Sequence, residues 1–453
     1  MLKKRQFLVS FMFFVLLFGV VACNSSTETG SDDNSQDTSS EETGSNTETD
    51  NSDEENSDGT NEEVTISLWH IETGPSGDAI MQAVERFEEK NPGVTVEVSQ
   101  QENDPYKSKL SVAMGGGNPP DVFSSWGGGW LEQFVNAGQV KEITNELDTD
   151  IYVEAALSAA TYDDKVYGAP IGMAVVPVFY NKDIFNEYGI EEPDTFEELK
   201  EIIQTLDSNG IIPFTLANQT KWTGSFYLMY LAERIGGPDL FSEAFNRTGR
   251  GFDDEAYVEA GHKIQELVEL NAFPDGFNGM NYDTGQSRQL LYSGKAGMQI
   301  MGNWLVNNVR DEMPEFEEKL DFFLFPAVEG GEGEKNHVVG GVAPVFSVAE
   351  TSEHPDIAAE LVKELASIET STYMANNAGD ISAIKGVTYE DPYTQKISEV
   401  LESSEFMQTY YDQTLPPELA QVHLDTTQAI FGLSMTPEEA MAKVEEKAKE
   451  LLD

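Results

Sequence analysis

The sequence predicts an α/β architecture divided into two lobes. Three observations predict it: a strand, helix, strand unit opens the folded region, a second alternating set follows, and two apolar, glycine-punctuated runs lie where the chain would cross between them. Length agrees, because 453 residues exceed a typical single domain, and 39% apolar residues with 25 Phe and 16 Tyr supply ample core.

The first unit begins at Val64 to Trp69, which alternates as a strand. Asp78 to Lys90 carries Ile80, Val84 and Phe87 at helical spacing, and Asn91-Pro92-Gly93 stops it. Val94, Val96 and Val98 alternate as the next strand. A helix follows around Tyr106 to Met114, then a short strand at Asp121 to Ser125 and a helix from Trp130 to Ala137. The run Val166 to Tyr180, interrupted by Gly168, Pro170, Gly172 and Pro177, reads as one strand crossing between lobes. In the second set, Thr195 and Glu198 form a capping box that opens a helix to Asp207. A strand at Pro213 to Ala217 and helices at Ser225 to Ile235, Glu255 to Leu270 and Thr284 to Tyr292 come next. Ala296 to Met301 and Asp321 to Phe325 add strands, and Val338 to Val348, with Gly340 and Gly341, is a second crossing. From His354 onward the pattern is mostly helical, and Thr436 with Glu439 caps the last helix.

Residues 1–63 read as an address and a tether. Lys3, Lys4 and Arg5 precede an apolar run from Phe7 to Val21, too short to span a bilayer, so residues 1–22 are expected to be a signal peptide. Val20-Val21-Ala22-Cys23 resembles the lipobox of bacterial lipoproteins, which implies a lipid on Cys23, the single cysteine. Acyl chains there would anchor the protein at the extracellular face of the cell membrane, each buried methylene adding about 0.8 kcal/mol. Residues 24–63 hold fourteen acids and no Lys, Arg or large apolar residue, a composition that forms no core. As a coil the segment spans about 35 Å, more with charge repulsion.

Charge narrows the partners. Setting aside those fourteen acids and the three N-terminal bases leaves −43 of the −54 on residues 64–453. Nucleic acid is excluded by the lack of a basic face, and surface-charge docking on anionic lipid by the same argument. An acid excess of this size fits a halophilic source, where salt screens self-repulsion.

The chemical motifs are mostly absent. His70, His262, His337, His354 and His423 show no pair at metal-ligand spacing, so neither a metal nor another cofactor is expected. Gly115 to Gly117 and Gly127 to Gly129 lack phosphate-loop spacing and fit turns. No nucleophile elbow occurs, though a chain this rich in acids leaves a pair of opposed glycosidase carboxylates open. The tryptophans say more. Trp69, Trp126, Trp130, Trp222 and Trp304 all fall beyond predicted strands or beside helix starts, the rim where open α/β sheets bind ligands. Each alone is equally a core or lid ring; together they point to an aromatic-walled cleft, with His70, Glu72 and Asn303 as polar neighbours.

Several segments stand in a telling order: Ile66-Ser67-Leu68-Trp69-His70, Arg86 to Val94, Pro119-Pro120-Asp121-Val122, Tyr167-Gly168-Ala169-Pro170 leading to Tyr180-Asn181-Lys182-Asp183, Gly294 to Met298, and Gly302-Asn303-Trp304. Together they resemble the family 1 extracellular solute-binding proteins, the maltose-binding-protein-like carbohydrate receptors of ABC importers. The resemblance runs from about Val64 to the C-terminus and implies a periplasmic-binding-protein-like fold with the ligand between two hinged lobes. It implies lobe one at about residues 64–172 plus 342–385, and lobe two at about 173–341 plus 386–453. It implies stacking of Trp126, Trp222 and Trp304 on sugar rings, with Glu72 and Asn303 on hydroxyls and Asp380 and His423 as further contacts. The expected function is capture of a carbohydrate, an oligosaccharide, by a monomeric non-enzyme that delivers it to an ABC permease. The alternatives are a lipid-anchored glycoside-active enzyme and a receptor for a polyol or glycerophosphodiester.

Overall fold

The computed structural model describes residues 63–453; the signal segment, Cys23 and nearly all of the tether lie outside them. Alternation over Val64–His70 yields strand β1, and β2 (Val94–Gln100) runs parallel to it in register from Val64↔Val94 to His70↔Gln100. Between them the helix Gly74–Lys90 buries Ile80, Val84 and Phe87 on the sheet. It starts four residues before Asp78, the start that the sequence predicts, because Pro75 fits a first turn and Ser76 and Ala79 are small. Strand β3 (Val122–Ser125) adds parallel on the other side of β1, and all four of its residues are buried. Asp121 locks that edge: its Oδ2 accepts from the Ser67 N–H at 2.9 Å and the Ser67 hydroxyl at 2.7 Å.

The first crossing is not one strand. After the small hairpin β4 (Thr161–Tyr162) and β5 (Lys165–Val166), the chain forms β6 (Ala169–Pro170), β7 (Gly172–Val175) and β8 (Val178–Asn181), each in a different sheet. Pro170 and Pro177 are the physical reason, since neither donates to a ladder and each ends a strand. The strand predicted at Pro213 to Ala217 contracts to β9 (Ile212–Phe214). Strands β10 (Ala296–Ile300) and β11 (Leu320–Phe323) flank β8 antiparallel, giving the second-lobe order β11-β8-β10-β9. The second crossing also divides, into β12 (Val338–Val342) and β13 (Val345–Val348), at Pro344. Strand β13 closes the first-lobe sheet, ordered β2-β1-β3-β13-β6. Strands β12 and β7 pair antiparallel in a central sheet, completed by β14 (Ile381–Ser382) and β15 (Met407–Thr409) in the order β14-β7-β12-β15. Those last two short strands interrupt the C-terminal stretch that reads as helical.

The molecule is thus two α/β lobes joined through a narrow sheet built from both crossings. The capping boxes form as the sequence predicts. Thr195 Oγ1 accepts from the Glu198 N–H at 3.2 Å while Glu198 accepts from the Thr195 N–H at 3.0 Å. Thr436 and Glu439 do the same at the start of the helix Pro437–Leu452.

Candidate ligand cleft

Between the lobes lies a cavity of about 420 Å³, walled by the segments that follow β1, β3, β10 and β15 and by the residues of β7. Strand ends gather there because a twisted sheet leaves its loops, and not its ladder, to meet the opposite lobe. Asn307 hydrogen-bonds the start of the first helix to the other lobe. Asn307, on the helix Trp304–Glu312, accepts from the Ser76 N–H at 3.2 Å and donates to the Thr73 carbonyl at 3.1 Å. Thr73 provides no side-chain cap, so Asn307 satisfies that helix end from across the cleft.

One wall is aromatic. Trp222 opens the helix Trp222–Gly236, and its ring centroid lies 4.9 Å from Tyr282, 5.7 Å from Phe226 and 6.2 Å from Trp304. Phe226 continues the surface to Tyr410 at 5.6 Å. Trp304 folds back over Gly302, where a Cβ would sit 1.9 Å from the ring, so only glycine admits this placement. Trp126 faces the cavity from the first lobe, with Lys107 Nζ 4.7 Å from its ring centroid.

The polar wall is acidic. Burial first, and then the charge of Asp380, pushes the Glu72 carboxyl up to about 8. Burial also raises Asp380 to about 6, against a 2.9 Å hydrogen bond from Ser76 Oγ and the pull of Arg310. Asp380 reaches the cavity because the helix Ile368–Ala378 ends at Gly379 with φ 81°, a left-handed turn suited to glycine. Across the mouth, the Asp104 N–H donates to Asp283 at 3.4 Å, and burial plus the Asp283 charge raises both Glu102 and Asp104. The two cations of the lining are already paired, Lys107 with Asp412 at 3.7 Å and Arg288 with Glu312 at 2.5 Å.

The cavity therefore brings together Glu72, Trp126, Trp222, Asn303, Trp304 and Asp380. Three other candidates lie elsewhere. Trp69 projects to the opposite face of β1 from Leu68, where Lys109 Nζ sits 3.9 Å over its ring. His70 is buried in the interior, with neither ring nitrogen hydrogen-bonded among the described residues, and burial lowers it to about 4. His423 is a core residue: its Nε2 lies 2.6 Å from Ser225 Oγ, its ring 5.2 Å from Tyr411, and burial lowers it to about 3. Trp130, the remaining rim tryptophan, packs at 5.0 Å on Phe134. Asn303 lines the cavity, but its amide is committed, accepting from Val175 N–H and donating to the Gly379 carbonyl, each at 3.1 Å. It is a frame residue more than a free hydroxyl partner. Tyr282, Phe226, Tyr410, Asp283 and Asp412 were not singled out by the sequence; the Asn281-Tyr282-Asp283 turn before a helix was the available signal for two of them.

Among the described residues no group of three or more His, Cys, Asp or Glu side chains could hold a metal ion, and no helix is long and apolar enough to cross a membrane. The model of the bacterial extracellular solute-binding proteins matches residues 72–371. The chain belongs to this family. A similar solute-binding protein is an uncharacterised ABC transporter extracellular-binding protein of Pyrococcus horikoshii, 24% identical, with 73% of this chain and 75% of that one covered. The galactooligosaccharide-binding protein of Bacillus subtilis is 25% identical over 83% of this chain and 87% of its own. A solved structure from work on xylan utilization by Caldanaerobius polysaccharolyticus superposes with a TM-score of 0.80. It is 30% identical and covers 85% of this chain and 100% of its own. These similarities agree with a two-lobed solute receptor.

Proposed function

We propose that this solute-binding protein captures an oligosaccharide between its lobes and hands it to an ABC permease without cleaving it. The observation that carries the reading is the aromatic wall of Trp222, Tyr282, Phe226 and Trp304 facing Trp126 across a cavity edged by carboxylates. Aromatic faces match the C–H faces of sugar rings, and carboxylates accept from their hydroxyls. The volume lies within the range of about 300–1,000 Å³ common to small-molecule sites. The galactooligosaccharide-binding relative supports the same ligand class. The lobes, taken as 64–172 with 342–385 and 173–341 with 386–453, close about the central sheet. The protein acts as a monomer tethered through residues 24–63 to lipid on Cys23, outside the cell membrane, and its acidic surface suits high salt.

A calorimetric and thermal-shift screen over mono- and oligosaccharides, polyols and glycerophosphodiesters tests the ligand class. A rise in melting temperature with oligosaccharides, and with neither of the other classes, is expected. Unchanged oligosaccharide length after long incubation separates a receptor from a glycosidase that would use Glu72 and Asp380 as its carboxylates. Cys23→Ser should abolish incorporation of labelled fatty acid; persistence of label sinks the anchor.

A further inference from the structure

Two buried asparagines stand one turn apart on the helix Trp304–Glu312 and its cap, and the amides of both are committed to backbone groups. Asn303 is tied to β7 in the central sheet. Its N–H donates to the Val175 carbonyl at 3.0 Å, and its Oδ1 accepts from the Val175 N–H at 3.1 Å. Asn307 instead crosses to the first lobe, where Thr73 and Ser76 begin the helix that follows β1. The Ser76 N–H is one of the donors that a helix start leaves without an intrahelical partner, and Asn307 is its acceptor. The backbone is shaped for this approach. Gly74 has φ 53°, and a Cβ there would stand 2.8 Å from Asp311 Cβ and 3.5 Å from Asn307 Oδ1, so any larger residue wedges the seam. Gly74 itself lies outside the cavity lining.

Lobe opening affects the two asparagines differently. Asn303 is fixed to a strand of the sheet that joins the lobes, whereas Asn307 lies about 6 Å along the helix from that anchor. A rotation of about 10° at that radius moves Asn307 by about 1 Å, enough to carry both of its bonds past hydrogen-bonding distance. We propose that Asn307 is a positioning residue for capture, a latch whose bonds to Thr73 and Ser76 form as the lobes close and retain the ligand without touching it. The proposal rests on the receptor reading and adds to it the residue that sets ligand retention. Contacts made only in the closed form resist opening, so the latch acts on dissociation and leaves association alone.

Stopped-flow association and dissociation rates of the intact protein with maltotriose, cellotriose and xylotriose, beside melting of the ligand-free protein, test the latch. Asn307→Ala should speed release of every sugar that the parent binds by about tenfold, as expected for two buried hydrogen bonds, with association within about twofold. Gly74→Ala wedges the same seam from outside the cavity and should speed release in the same way; the strain of its φ is common to open and closed forms and cancels. Ligand-free Asn307→Ala should melt with the parent. Amide exchange at Ser76 should slow when sugar is added to the parent and stay unchanged in Asn307→Ala. Unchanged release, or a ligand-free melting loss of several degrees, overturns the latch in favour of a fixed support between the lobes. Faster release in Asn307→Ala with parental release in Gly74→Ala makes Asn307 a ligand contact and overturns it too. The receptor reading survives each of these results, whereas a parent that binds none of the three sugars overturns both.

Discussion

Trp304 serves two purposes in the cleft. Its ring covers Gly302 and touches Trp222 and Phe226, so it contributes both to the wall and to packing. Trp304→Ala should weaken oligosaccharide binding by about 1–3 kcal/mol, tenfold or more, by removing a stacking face. A core role would instead cost about 3–5 kcal/mol of stability. Calorimetry beside melting of the free protein separates them: a large fall in melting temperature with retained affinity sinks the stacking role. Glu72 gives a second outcome. An acid whose folded value lies above its unfolded one binds its proton more tightly when folded, so its ionisation opposes folding. That cost is absent below about pH 4.5 and grows until about pH 8. Glu72→Gln cannot ionise and should melt with the parent at pH 4.5 but about 2–5 °C higher at pH 8. A difference that shrinks as pH rises would refute the burial of Glu72. The sequence marked Glu72, Trp126, Trp222, Trp304 and Asp380 by position after strands or by resemblance. It could not show that Trp69 and His70, on opposite faces of β1, both fall outside the cavity lining, nor that His423 packs against Ser225 from another helix.

Elements were legible where one local signal decides them. Alternation gave β1 and β2, and two capping boxes formed with both of their hydrogen bonds. The crossings were legible as apolar runs but not as divided strands, because sheet membership depends on partners far away in sequence, such as Gly340↔Val175 and Val345↔Ser125. Strands β14 and β15 are so short that only those partners define them. The crossing also shapes the cleft. A Cβ on Gly341 would lie 2.5 Å from Tyr410 Cε2, closer than packing permits, and Tyr410 is too buried to swing away freely. Gly341→Ala should displace that ring, destabilise by about 1–3 kcal/mol and weaken ligand binding. Gly115→Ala, with nothing within 4 Å of its Cβ among the described residues, is the control and should leave ligand binding unchanged and cost no stability. Retained affinity in Gly341→Ala would remove Tyr410 from the ligand's surroundings.

At the scale of the whole molecule, charge and closure are coupled. Glu102 and Asp104 stand at the start of the helix Asn103–Gly115, which is tied to the first sheet by the Tyr106 hydroxyl donating to the Trp69 and Ser124 carbonyls, and face Asp283, which precedes the helix Gln286–Tyr292 beside β10. Closing the lobes therefore presses like charges together, on a chain that already carries −54. The ion pair of Lys107 with Asp412 offsets this only partly, at 3.7 Å. Salt relieves the repulsion, because the screening length falls from about 10 Å at 0.1 M to about 3 Å at 1 M. Affinity for a neutral oligosaccharide should accordingly rise about three- to tenfold between those concentrations, and the radius of gyration with ligand should shrink. Asp283→Asn removes the charge common to both repulsive contacts and should flatten the salt dependence for the neutral ligand. Titrations across salt, paired with solution scattering, measure both; affinity that falls with salt, or a slope that Asp283→Asn leaves unchanged, would show that the opposed acids do not govern closure.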